Sequence, residues 1–117
     1  MTSAGLKDIA KLKNIDDLRL ISTKVGDASL EELAALKKLS FLGLGSTAVT
    51  DAGVKKLAAL KSVRSLDISY NKNVTDVGVK ELVALKNLYW LDLSETNVTI
   101  AQKKELRKAL PMATIVK

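Results

Sequence analysis

The chain is written in copies of one unit. Leu39-x-x-Leu42-x-Leu44 is followed by Thr47 and Val49, then by a helix-like segment carrying Val54, Leu57 and Leu60. The apolar triplet recurs as Ile15/Leu18/Leu20, Val63/Leu66/Ile68 and Leu88/Leu91/Leu93, with a truncated copy at Met112/Ile115. Successive units therefore start 24, 24, 25 and 24 residues apart. A fixed period in this range marks a stacked-repeat architecture, in which a lone unit cannot offset its ordering entropy and folds only against neighbours. The divisions that follow are a half unit at 1–14, units at 15–38, 39–62, 63–87 and 88–111, and a C-terminal cap over 99–117. Together they make a single domain.

Inside each unit the residue types assign the parts. The L-x-x-L-x-L run reads as a short strand with its leucines turned inward. Thr23, Thr47, Asn71 and Thr96 follow it in one column, placed to satisfy backbone groups of the turn, because buried polar groups need partners. Val25, Val49, Val74 and Val98 come next. Thr50, Thr75 and Thr99 read as helix N-caps, whose hydroxyls accept from free amides of the first turn. Asp51 and Asp76 then suit the positive end of the helix dipole. Gly5, Gly53 and Gly78 share a column that Ser29 and Gln102 interrupt, which implies close packing at that point of the helix.

The helices carry apolar residues at i, i+3 and i+6: Leu30/Leu33/Leu36, Val54/Leu57/Leu60 and Val79/Leu82/Leu85. This gives one apolar stripe on each of these three short helices, and five short helices with five short parallel strands are expected in all. Near the C-terminus Lys103, Arg107 and Lys108 replace stripe and small residues and Pro111 ends the helix, as a water-facing cap requires. An additional residue between Asn71 and Val74 makes Tyr70–Asn73 a bulged loop.

The pattern Leu39-x-x-Leu42-x-Leu44-x-x-Thr47-x-Val49-Thr50-Asp51-x-Gly53, with its copies from Val63 and Leu88, resembles the leucine-rich repeat family over nearly the whole chain. It is most similar to bacterial repeats of about 24 residues with a V-T-D-x-G step, of the ribonuclease-inhibitor-like kind. The resemblance implies an α/β right-handed solenoid, with short parallel strands on a concave face and helices on a convex face. It also implies a protein-binding scaffold and no particular activity.

Composition narrows the function classes. The chain has no cysteine and no histidine, so it lacks a disulfide framework, thiolate chemistry, the commonest general base and the commonest metal ligand. Neither a phosphate-cradling loop nor an activated-serine motif is present, so no cofactor, no metal and no enzymatic activity are expected. The N-terminus lacks the pattern of a signal peptide, and no window reaches a membrane-spanning length of apolar residues. A cytoplasmic, non-membrane protein is the expectation. The formal net charge of +6 comes from lysines on the helices. Glu31, Glu32, Glu81 and Glu105 interrupt them, which describes a solubilising convex surface rather than a nucleic-acid stripe.

Stacking identical units places equivalent residues side by side, so the outward strand positions form columns. One column is Asp17, Phe41, Ser65 and Trp90; a second is Arg19, Gly43, Asp67 and Asp92; a third is Ile21, Gly45, Ser69 and Ser94. The only Phe and the only Trp thus fall on the concave face. Exposed aromatics are typical interface anchors, although they can also fill a shallow concavity. The expected binding set is Phe41 and Trp90 with Arg19, Asp67 and Asp92, flanked by Ile21 and Tyr70, facing an unknown protein partner. The adjacent Asp67 and Asp92 read as solvated rather than catalytic.

A second reading makes the chain a structural, self-assembling unit. Leu6, Ile9 and Leu12, with Ile15, Leu18 and Leu20, would lie uncovered at the N-terminal end and be buried in a homodimer; the concave aromatics could pair between subunits instead. The start within a repeat also fits a fragment of a longer protein or an engineered array.

Overall fold

Each apolar triplet becomes a three-residue strand: β1 (Asp17–Arg19), β2 (Phe41–Gly43), β3 (Ser65–Asp67), β4 (Trp90–Asp92) and β5 (Thr114–Val116). They form one parallel sheet in sequence order, β1-β2-β3-β4-β5. The computed structural model describes residues 3–116. Met1 and Thr2 of the N-terminal half unit and Lys117 of the cap lie outside the described residues.

Pairing is in register with the repeat, Leu18 to Leu42 to Leu66 to Leu91 to Ile115. A slip by one residue would turn every leucine outward, so the alternation itself fixes the register. Helical segments return the chain on the other face: α1 (Ser3–Ala10), a 3-10 helix at Asp27–Ala35, α2 (Asp51–Leu57), α3 (Asp76–Val79) continuing as a 3-10 helix at Lys80–Ala84, and α4 (Ile100–Ala109). The result is the expected α/β solenoid, with five strands and five helical segments among the described residues.

The helices are tighter than the stripe suggested, and the spacing explains why. Leucines at i, i+3 and i+6 line up best at three residues per turn, the 3-10 value, which eclipses every third side chain. Leu30, Leu33 and Leu36 in one unit and Val79, Leu82 and Leu85 in another are all buried. Even α2 ends through i-to-i−3 bonds, Ala58 N–H to Lys55 O at 3.3 Å and Leu60 N–H to Leu57 O at 3.0 Å. Three strand residues and a compact helix fit the short period.

Two expectations about the ends are corrected. Leu6, Leu18 and Leu20 are buried within the single chain as members of its one core cluster, and α1 packs on the neighbouring 3-10 helix. Leu12 remains exposed, with Ile9 and Ile15 half-buried. At the other end Met112 does not take the buried place of Leu88. It is 84% exposed, while Ala113 and Ile115 pack on the core. Pro111 ends the return helix one residue earlier, and the turn it begins carries Met112 outward.

The polar positions join neighbouring units. The Thr50 amide donates to Asp27 Oδ1 at 2.8 Å, and its hydroxyl donates to Asp27 Oδ2. Thr75 repeats this on Asp51, N–H to Oδ1 at 2.7 Å and hydroxyl to Oδ2 at 2.5 Å. Thr99 repeats it on Asp76 at 2.8 and 2.7 Å. Each hydroxyl also accepts a first-turn amide, from Ala52, Val77 or Gln102, and so acts as the expected N-cap. A hydroxyl has one proton to give and two lone pairs to accept, so both duties fit one oxygen. The aspartates therefore do more than face their own helix dipole: each clasps the following unit.

The clasp explains the glycine column. A Cβ on Gly53 would sit 2.2 Å from Asp27 Oδ1, and one on Gly78 would sit 2.6 Å from Asp51 Oδ1. The inward ladder is satisfied as expected: Thr23, Thr47 and Thr96 donate to Leu20 O, Leu44 O and Leu93 O at 2.7–2.9 Å. Asn71, 3% exposed, donates to Leu44 O, Ile68 O and Ser69 O and accepts from the Thr47 amide.

Strands leave the sheet through Ser22, Ser46, Tyr70 and Glu95, all with φ between 51° and 60°. The left-handed corner thus belongs to every unit. The additional residue near Lys72 adds a second turn after it, held by Asn97 Nδ2 donating to Lys72 O at 2.5 Å.

Candidate functional site

The concave sheet brings the sequence-derived columns together. Asp17 pairs with Phe41, Phe41 with Ser65 and Ser65 with Trp90; Arg19 pairs with Gly43, Gly43 with Asp67 and Asp67 with Asp92. Ser65 lies between the two aromatics and is too short to separate them. The Phe41 and Trp90 rings meet over it, with centroids 6.3 Å apart and planes inclined by 25°. Both rings are half-buried as a result.

Arg19 extends this stack. Its guanidinium carbon lies 4.7 Å from the centre of the Phe41 ring. Asp17 holds the guanidinium, Nε donating to Oδ1 at 3.0 Å and Nη2 to Oδ2 at 3.2 Å. The Arg19 hydrogen bond keeps the Asp17 carboxyl below its ordinary value, and Asp17 in turn raises Arg19. Gly43 makes room beneath: a Cβ there would lie 3.3 Å from Phe41 Cε1 and 3.4 Å from Ile21 Cδ1. Ile21 and Phe41 therefore close over the bare backbone from two sides, with Ile21 still 47% exposed.

Asp67 and Asp92 occupy the same positions in successive strands and bond alike. Each Oδ1 accepts the amide two residues on, Ser69 N–H and Ser94 N–H, both at 2.9 Å. Neither takes part in an ion pair among the described residues. No group of three or more potential metal ligands occurs among those residues. Tyr70, 60% exposed, stands at the left-handed corner beyond β3 and marks the rim.

Two groups escaped the sequence reading. Asp17 was counted in a column but not as the partner of Arg19. Arg64 and Tyr89 also meet, with the guanidinium carbon 5.3 Å from the ring centre. These two are one repeat apart, in the column just before the strands, so the same arithmetic could have found them.

A family model described as Leucine Rich repeat matches residues 59–83. The fold also matches solved structures. An internalin from Listeria monocytogenes superposes with a TM-score of 0.61 at 20% identity, over 95% of this chain and 37% of that one. A leucine-rich-repeat protein of Leptospira interrogans gives 0.65 at 24% identity, over 95% and 33%. Leiomodin-1 actin-binding site 2 gives 0.71 at 17% identity, over 99% and 76%. The chain thus spans little more than a third of the internalin and a third of the Leptospira protein. No curated protein sequence matches it. Sheet, register and matched repeat together define a leucine-rich-repeat fold, a solenoid of stacked units. No described helix is long and apolar enough to cross a membrane.

Proposed function

We propose that this chain is a non-catalytic protein-binding module that engages its partner through the concave sheet. Phe41 and Trp90 are the anchors, Arg19, Asp67 and Asp92 supply polar specificity, and Ile21 and Tyr70 flank the contact. The observation that carries this reading is the Arg19–Phe41–Trp90 stack at the centre of the sheet. Its rings are already ordered by one another, so a partner gains aromatic contact area without the entropy cost of immobilising free side chains. Asp67 and Asp92 each commit Oδ1 to the turn that follows, which supports a fixed carboxylate aimed at polar contact rather than acid–base work. A reducing compartment such as the cytoplasm suits a chain without cysteine.

Capture of partners from source lysate by the wild type and by Phe41→Ala/Trp90→Ala tests the reading, with far-UV circular dichroism to verify the fold. Loss of the captured species in the double variant is expected. Equal capture by a folded double variant would contradict it.

A further inference from the structure

We infer that the partner presents an arginine, which lies on the Trp90 ring and is held between Asp67 and Asp92; this rests on the concave-face reading above. The chain contains its own precedent for the arrangement. At one side of the sheet a carboxylate, Asp17, grips a guanidinium, Arg19, that lies on an aromatic ring, Phe41. Towards the other side the same two columns offer a ring, Trp90, and two carboxylates, Asp92 and Asp67. Among the described residues the Trp90 ring has one ring partner and no cation.

Chemistry selects arginine over other groups. Asp67 and Asp92 are register partners on adjacent strands, and Asp92 is two residues from Trp90 on the same face of β4. Each spends Oδ1 on a backbone amide, and Oδ2 of each accepts no hydrogen bond from the described residues. Two parallel carboxylates about 4.8 Å apart at their backbones suit the planar fork of a guanidinium. The same plane stacks on indole, which a lysine ammonium does not do as well.

Charge complementarity also points to a cation. The net charge is +6, yet the concave columns hold Asp17, Asp67 and Asp92 against Arg19 alone. A polycation is repelled by the molecule as a whole, whereas a single guanidinium is attracted to this patch.

The test is a random peptide library selected on the wild-type chain and counter-selected on Phe41→Ala/Trp90→Ala. Trp90, the only tryptophan, reports binding by its fluorescence. The expected peptides share an arginine. Replacing it by citrulline, which keeps the shape and removes the charge, should weaken binding about tenfold to a hundredfold. Asp67→Asn and Asp92→Asn should each weaken the arginine peptide and leave the citrulline peptide unchanged. Binders that need the aromatics but carry no arginine, or that tolerate citrulline, overturn this inference and leave the concave-face reading standing. Failure to find any binder that depends on Phe41 and Trp90 overturns both.

Discussion

Gly53→Ala places a methyl group where Asp27 clasps the next unit. On helix propensity alone the change should stabilise the chain by about 1 kcal/mol. The structure reverses that sign. The added carbon would lie 2.2 Å from Asp27 Oδ1, 3.0 Å from Asp27 Cγ and 3.0 Å from Leu30 Cδ1. Leu30 Cδ1 is the end of a flexible side chain and can move. Asp27 cannot move without releasing both the Thr50 amide and the Thr50 hydroxyl.

A hydrogen bond to a charged group contributes about 1.5–3 kcal/mol, and this pair is only part-buried, so both together contribute about 3–4 kcal/mol. Net of propensity, Gly53→Ala should destabilise by about 2–3 kcal/mol, a large share of the roughly 5–15 kcal/mol of a typical domain. Asp27→Ala should cost a similar amount. In the double variant the obstruction is gone and the propensity gain returns, so it should be no less stable than Asp27→Ala alone. Urea unfolding followed by far-UV circular dichroism measures all four corners of this cycle. Additive losses, or a neutral or stabilising Gly53→Ala, would refute the clasp.

Other positions yield separate expectations. Asn71→Leu strands Ile68 O and the Thr47 amide in the core, while Leu44 O keeps the Thr47 hydroxyl and Ser69 O keeps the Ser46 amide. It should cost about 3 kcal/mol or more in urea unfolding, and a loss under 1 kcal/mol would contradict the bonding described. Ser46→Gly relieves the left-handed corner at φ 51° and should stabilise by about 0.5 kcal/mol after glycine's own entropy cost. Arg19→Gln should raise the Asp17 carboxyl toward its ordinary value of 3.8, read by carbon-13 NMR titration. The Asp17–Arg19 pair stabilises the fold above the unfolded carboxyl value, and that contribution disappears as pH falls through the depressed folded one. An Asp17 titration that ignores Arg19→Gln would exclude the pairing.

The sheet was legible because the period is nearly invariant. Counting 24 or 25 residues from Asp17 reaches Phe41, Ser65 and Trp90, which are the observed register partners. What the count could not supply was lateral reach within the face. Phe41 and Trp90 stack across an intervening strand only because residue 65 is a serine, and Arg19 bends onto Phe41 instead of pointing away. Asp51 was readable as a residue at a helix start. Its stronger attachment is to Thr75 of the following unit, a contact set by the stacking of units and not by local sequence.

The left-handed corners were hidden for a different reason. Such positions usually announce themselves with glycine or asparagine, and here serine, tyrosine and glutamate fill them under the constraint of the stack. Met112 looked like a core residue by periodicity, but the turn at Pro111 overrides the pattern. Leu6, Leu18 and Leu20 looked uncovered because their burial in the shared core is a tertiary outcome that the repeat count does not carry.

We place recognition on the concave sheet. The most direct measurement is the amide chemical-shift map of nitrogen-15-labelled chain titrated with a library-selected peptide. Perturbations confined to 17–21, 41–45, 65–70 and 90–94 are expected, with the Trp90 indole N–H among the largest. A map centred on the lysine-bearing helices, with those strands unmoved, would contradict it.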